Sequence, residues 1–210
     1  MSRPQFYIQD TRSTVGNNVL WWAKGDNGYT TDLNKAEIYT LDEAQRKYNG
    51  RPSDLPWPKD YVDTLTHPAV DMQYLRREDA QKCDPEGALG FYVQASRRYD
   101  GNDVLWRPMG GGAPTADLGA AQVHTLDEAH RVMDSESALW PKAYIDEKVR
   151  LAVSIERLKQ TAAFRRSGIV FVKPAKAKRE VIKCGECGRF MSQAQLWSGA
   201  CPKCGADNRP

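Results

Sequence analysis

Four of the five cysteines stand as two Cys-x-x-Cys pairs, Cys184 with Cys187 in CGEC and Cys201 with Cys204 in CPKC, with 13 residues between the pairs. Two such pairs supply four thiolates able to close tetrahedrally around a Zn2+ ion. The glycine after each pair, Gly188 or Gly205, lets the chain turn back without a Cβ clash. One structural zinc is expected, because four protein thiolates leave the metal no open position for water or substrate. Such sites contribute about 10–16 kcal/mol to folding, enough to dominate a unit too short to hold a core of its own. Two other uses of four thiols remain to be weighed. Disulfides need an oxidising compartment, whereas the opening MSRPQFYIQD lacks the apolar core of a secretory signal, so a cytoplasmic setting is expected. A redox Cys-x-x-Cys usually stands alone on a thioredoxin-like βαβ unit, and no such pattern is present. Cys83 reads as an incidental free thiol.

The spacing of the pairs, and the Cys-Pro-x-Cys-Gly form of the second, resemble the zinc-ribbon family over residues 181–210. A basic stretch leads into that segment: between Arg157 and Arg189 lie ten Lys and Arg residues against Glu180 and Glu186 alone. The run IVFVKPAKAKREVIK places an apolar strand-like segment before a Pro/Ala/Lys linker. With Trp197 in the loop between the pairs, Arg165, Arg166, Lys173, Lys176, Lys178, Arg179, Lys183 and Arg189 suit phosphate contacts combined with base stacking. The resemblance points the same way, since zinc ribbons are often used on nucleic acids and polymerases. The plainer reading of the charge run is a solvated linker that keeps the chain soluble.

No pattern calls for catalysis, and a non-enzymatic protein is expected. The three histidines, His67, His124 and His130, fall in no nucleophile, metalloprotease or glycosidase signature. The Gly110–Gly112 run is followed by no Gly-Lys-Ser/Thr and reads as a hairpin loop.

The elements that must position these residues are laid out twice. FYIQDTRSTVGNNVLWW from Phe6 matches FYVQASRRYDGNDVLWR from Phe91, 85 residues later, and TDLNKAEIYTLDEAQR from Thr31 matches ADLGAAQVHTLDEAHR from Ala116 at the same offset. After a two-residue gap WPKDYVD from Trp57 matches WPKAYID from Trp140, and AVDMQYLR from Ala69 matches AVSIERLK from Ala152. Missing such a repeat would misassign the whole architecture. Each copy reads as short strands rich in aromatic and β-branched residues, then a turn-rich loop, then a capping box (Thr40 with Glu43, Thr125 with Glu128) opening a short helix. Pro58 and Pro141 mark the start of a second helix. In the second copy the spacing of Ile145, Val149, Ala152, Ile155, Leu158 and Ala162 predicts that this helix is long, and Pro68 is expected to interrupt its counterpart.

The fold class is therefore α+β: a first module over 1–80, a second over 86–159, a basic linker over 160–180 and a zinc ribbon over 181–210. The paired Trp21/Trp106 and Trp57/Trp140 are expected in the cores. Arg12/Arg97, Gln9/Gln94 and Asp32/Asp117 read as hydrogen bonds that the fold requires twice, or else as a ligand contact made by each module. The copies differ at Trp22 against Arg107 and at Tyr39 against His124, a sign of specialisation.

The net charge of +3 conceals a split: residues 1–156 carry −6 and residues 157–210 carry +9. No stretch approaches the roughly 18–20 apolar residues of a membrane span. The repeat, FYIQ…GN.VLWW…AEIYTLDEA…WPKDYVD, resembles small proteins of bacteriophages and prophages, a group without an assigned activity. The resemblance implies a phage origin, hence the host cytoplasm. The expectation is an accessory protein that binds nucleic acid, or a nucleic-acid machine such as polymerase or ribosome, through its ribbon and linker. A rival is an interaction or inhibitor protein acting on a host protein through the acidic body. A third possibility is a small molecule held between the copies.

Overall fold

A computed structural model describes residues 4–83, 89–165, 167–171, 182–192, 195, 197 and 199–208. The chain divides into two compact units, 1–170 and 171–210.

The first half of the larger unit holds β1 (Gln5–Asp10), β2 (Trp21–Trp22), β3 (Tyr29–Thr30), β4 (Tyr39–Thr40), α1 (Leu41–Gly50), β5 (Asp54–Pro58), α2 (Lys59–Asp63), β6 (His67–Val70) and α3 (Arg77–Cys83). The second half holds β7 (Phe91–Asp100), β8 (Asp103–Trp106), β9 (Val123–His124), α4 (Leu126–Val132), β10 (Ala138–Pro141), α5 (Lys142–Asp146), β11 (Val149–Ala152) and α6 (Gln160–Phe164). All strand pairings are antiparallel, and the architecture is α+β.

β1 and β7 are the central strands. Each is paired along one edge by a single strand, β5 or β10, and along the other by two, β2 and β4 or β8 and β9. Tyr7 lies opposite Trp57, Phe6 opposite Tyr39 and Gln9 opposite Trp21. Around β7, Tyr92 lies opposite Trp140, Phe91 opposite His124 and Gln94 opposite Trp106. The Trp21 and Trp106 indoles are fully enclosed. Both capping boxes form: Glu43 accepts from the Thr40 N–H at 2.9 Å, and Glu128 from the Thr125 N–H at 2.9 Å.

Two of the three recurring polar pairs make the same bonds in both halves, whereas Arg12 pairs with Asp10, whose counterpart is Ala95. Trp57 Nε1 donates to Gln9 Oε1 at 2.8 Å and Trp140 Nε1 to Gln94 Oε1 at 3.0 Å, which lets a polar strand residue be buried without penalty. Asp32 and Asp117 each open a 3-10 turn by accepting from the N–H two residues on.

The expected long helix does not form. α5 ends at Asp146, and Val149–Ala152 is instead a strand, β11, paired with β6 so that Leu151 faces Pro68 and Ala152 faces His67. The three- and four-residue spacing that suggests a helix arises from a helical turn that buries Tyr144 and Ile145, a strand that buries Ala152, and a 3-10 turn, in succession. Pro68 interrupts no helix. It lies in a two-stranded ribbon, where a missing N–H is tolerated on the outer edge.

The halves meet through contacts that exchange places. The Met72 N–H donates to the Asn102 carbonyl at 2.8 Å, and the Ile155 N–H to the Asn17 carbonyl at 2.8 Å. Tyr61 OH accepts from the Lys159 N–H at 2.9 Å, and Tyr144 OH from the Arg76 N–H at 2.7 Å. The helix after each half covers a tryptophan of the other: Phe164 of α6 lies 4.7 Å from the Trp57 ring, and Arg77 of α3 stands 4.1 Å over the Trp140 ring.

In the smaller unit β12 (Ile182–Lys183) pairs with β13 (Phe190–Met191), placing Lys183 opposite Phe190, and Ala200 bridges Asp207.

Candidate metal centre

Each cysteine pair sits on a tight turn. In the first, the Gly188 N–H returns to the Cys184 carbonyl at 3.0 Å and the Cys184 N–H donates to the Arg189 carbonyl at 2.9 Å. In the second, the Gly205 N–H returns to the Cys201 carbonyl at 2.8 Å and the Cys201 N–H donates to the Ala206 carbonyl at 2.8 Å. Gly188 and Gly205 have φ of 67° and 74°, the left-handed region that a β-carbon disfavours. Asn208 ties the turns together, accepting from the Gly185 N–H at 3.0 Å and donating to the Ala206 carbonyl at 2.8 Å.

These turns bring the Sγ atoms of Cys184, Cys187, Cys201 and Cys204 within 4.8 Å of one another. Cys184 Sγ is 3.6 Å from Cys204 Sγ and Cys187 Sγ is 3.7 Å from Cys201 Sγ, far beyond a disulfide. A tetrahedron of thiolates with metal–sulfur bonds of about 2.3 Å has edges of about 3.8 Å. Both separations match such an edge, so the four sulfurs are grouped closely enough to hold a metal ion. Cys184 and Cys201 are buried with Met191 in a small apolar cluster.

The thiols are electrostatically uneven. The Cys187 N–H aimed at Cys184 lowers its pKa to about 6, and the Cys204 N–H likewise lowers that of Cys201. At Cys204 the Ala206 N–H also favours the thiolate, but the Cys187 thiol, burial and the remaining cysteines outweigh it and push the value up to about 12. Four adjacent thiolates repel one another, and a divalent cation removes that conflict.

The other sequence-predicted site residues divide between the units. Arg165 is exposed at the end of α6 in the larger unit. Lys183 and Arg189 are exposed in the smaller unit, and Trp197 is 65% exposed. Arg166, Lys173, Lys176, Lys178 and Arg179 lie outside the described residues. The structure adds Phe190, which is 63% exposed with Lys183 Nζ 5.3 Å from its ring. The alternation that buries Met191 turns its neighbour Phe190 outward, a signal too short to read in a two-residue strand.

No protein-family model, curated protein or solved structure matches the chain. Among the described residues, no helix is long and apolar enough to cross a membrane.

Proposed function

We propose that this chain is a non-enzymatic, phage-type accessory protein in which a four-cysteine zinc ribbon and the basic segment before it bind nucleic acid or a nucleic-acid machine. The observation that carries the reading is a metal-ready cysteine cluster in one small unit with exposed Phe190, Trp197, Lys183 and Arg189. Aromatic faces stack on bases and basic side chains neutralise phosphates, a combination suited to single strands. Zinc fits the thiolate set and tetrahedral spacing, and it holds the ribbon together without taking part in chemistry. Free cysteines rather than disulfides suit a reducing cytoplasm.

The larger unit is read as two copies of one module arranged about an approximate two-fold axis. The reciprocal Tyr61–Lys159 and Tyr144–Arg76 bonds support this arrangement, which is that of an isologous dimer joined into one chain. Its role is to present the ribbon or to contact a protein partner.

Metal analysis is expected to find about one zinc per chain. The full-length protein is expected to be retained on immobilised DNA or RNA at low salt, and a form lacking 160–210 to pass through. Capture of a protein partner by residues 1–156, with no retention on either nucleic acid, would place the working surface on the acidic body instead.

A further inference from the structure

Two guanidiniums of the first half converge on one phenol oxygen. Arg12 Nη2 donates to Tyr29 Oη at 2.6 Å, and Arg51 Nη2 donates to the same oxygen at 3.2 Å. Like charges brought together in this way repel, and each is held from behind by a buried carboxylate. Asp10 accepts from Arg12 Nε at 2.8 Å and from its Nη2 at 2.9 Å, and Asp54 accepts from Arg51 Nε at 2.9 Å. The two carboxylates lie opposite each other where β1 pairs with β5, so one end of that ladder fixes both arginines.

All three converging groups reach solvent. The Arg12 and Arg51 side chains are 50% and 35% exposed, and Tyr29 is 40% exposed. The Nη1 group of each arginine makes no hydrogen bond among the described residues. Tyr29 Oη accepts from both arginines, which leaves its own proton for a third partner. The module does not require this fork. The second half keeps Arg97 in the place of Arg12 but has Ala95, Pro114 and Ser137 in the places of Asp10, Tyr29 and Asp54, and it forms the matching β7–β10 ladder without them.

Arg51 also lines a cavity of about 460 Å³ with Trp22, Arg46 and Lys47, a volume within the usual range for small-molecule sites. Asp10 and Asp54 offset Arg12 and Arg51, whereas Arg46 and Lys47 face Glu43 alone, so the site as a whole is positive. Residues 1–156 together carry −6, which disfavours a long polyanion and leaves a compact anion as the ligand.

We propose that the first half binds a small phosphate monoester, its oxygens taken by Arg12, Arg51 and the Tyr29 hydroxyl and its organic body by the cavity beside Trp22. A tetrahedral phosphate turns three oxygens toward three donors, whereas a planar carboxylate fills only two.

The test is a titration of the uniformly 15N-labelled full-length protein at low ionic strength with phenyl phosphate, inorganic phosphate and benzoate, followed by amide and Arg Nε–H chemical shifts. Phenyl phosphate is expected to saturate, with shifts gathered at Tyr29, Gly50, Arg51 and the Arg12 and Arg51 Nε–H groups. It is expected to bind at least tenfold more tightly than inorganic phosphate or benzoate. Tyr29→Phe keeps the ring and removes the hydroxyl, and it should weaken phenyl phosphate at least tenfold. In the unmodified protein, no saturable shift at these positions, benzoate binding as tightly, or inorganic phosphate binding as tightly would each overturn the proposal. Unchanged phenyl phosphate affinity in a folded Tyr29→Phe protein would also overturn it. Every readout lies in the larger unit, so the result is independent of what the cysteine ribbon binds.

Discussion

Asn18 Nδ2 donates to Asp103 Oδ2 at 2.8 Å, and the two residues occupy the same place in the two halves, 85 positions apart. Both are buried, and Asp103 is also paired with Arg150, whose Nη1 donates to the Thr31 carbonyl at 2.9 Å. One side of this meeting point is thus neutral and the other charged. A symmetric pair of aspartates would repel in the same space, and the Asn18/Asp103 difference removes that repulsion.

Arg150→Met is expected to destabilise the larger unit by about 3–5 kcal/mol in denaturant unfolding, because it leaves Asp103 buried without its cation. Burial already holds the Asp103 carboxyl above its ordinary value, against the pull of Arg150 and Asn18. A carboxyl raised in this way takes up a proton on folding. Its contribution is full below the unfolded value and is lost as pH rises through the folded value. Removing Arg150 raises the folded value further, so the deficit should be larger at about pH 7 than at about pH 4. Adding Asp103→Asn to Arg150→Met should remove most of that pH dependence.

Gly16 and Gly101, again 85 positions apart, touch across the same meeting point. A Cβ built on Gly16 would lie 2.3 Å from the Gly101 nitrogen, and one on Gly101 would lie 2.6 Å from the Gly16 nitrogen. Both have positive φ, 59° and 61°. Gly16→Ala or Gly101→Ala should therefore cost at least about 1–3 kcal/mol, from overpacking against backbone together with the φ strain. Gly50→Ala, where the Cβ meets nothing, is the control and should change stability little.

Metal removal should separate the units. With metal bound, a thiol reagent is expected to react quickly with Cys83 alone, which is exposed and outside the cluster. A strong chelator should release about one zinc and open four further thiols, while the thermal transition of the larger unit is unchanged. Five fast thiols before chelation would contradict the metal-bound state of the cluster.

Much of this was legible in the sequence where one residue type has one physical use. The four cysteines with their following glycines lead directly to the clustered sulfurs. Thr40 with Glu43 and Thr125 with Glu128 lead to helix starts, whereas Gln9 and Gln94 read equally as fold-required hydrogen bonds or ligand contacts, and their Trp57 and Trp140 partners follow only from the strand register. The β6–β11 ribbon was not legible, because Val149, Ala152 and Ile155 satisfy helical spacing as well as strand and turn, and only the partner strand decides between them.

Fluorescence anisotropy of a labelled short single-stranded oligonucleotide, DNA and RNA in turn, titrated with zinc-loaded full-length protein, tests the nucleic-acid role most directly. Saturable binding is expected that weakens steeply between about 50 and about 200 mM salt. Phe190→Ala with Trp197→Ala should weaken it at least about tenfold, from stacking worth about 1–3 kcal/mol per base, with zinc content unchanged. No binding to either strand at the lower salt, or full affinity in the double variant, would contradict a ribbon that reads nucleic acid through these two rings.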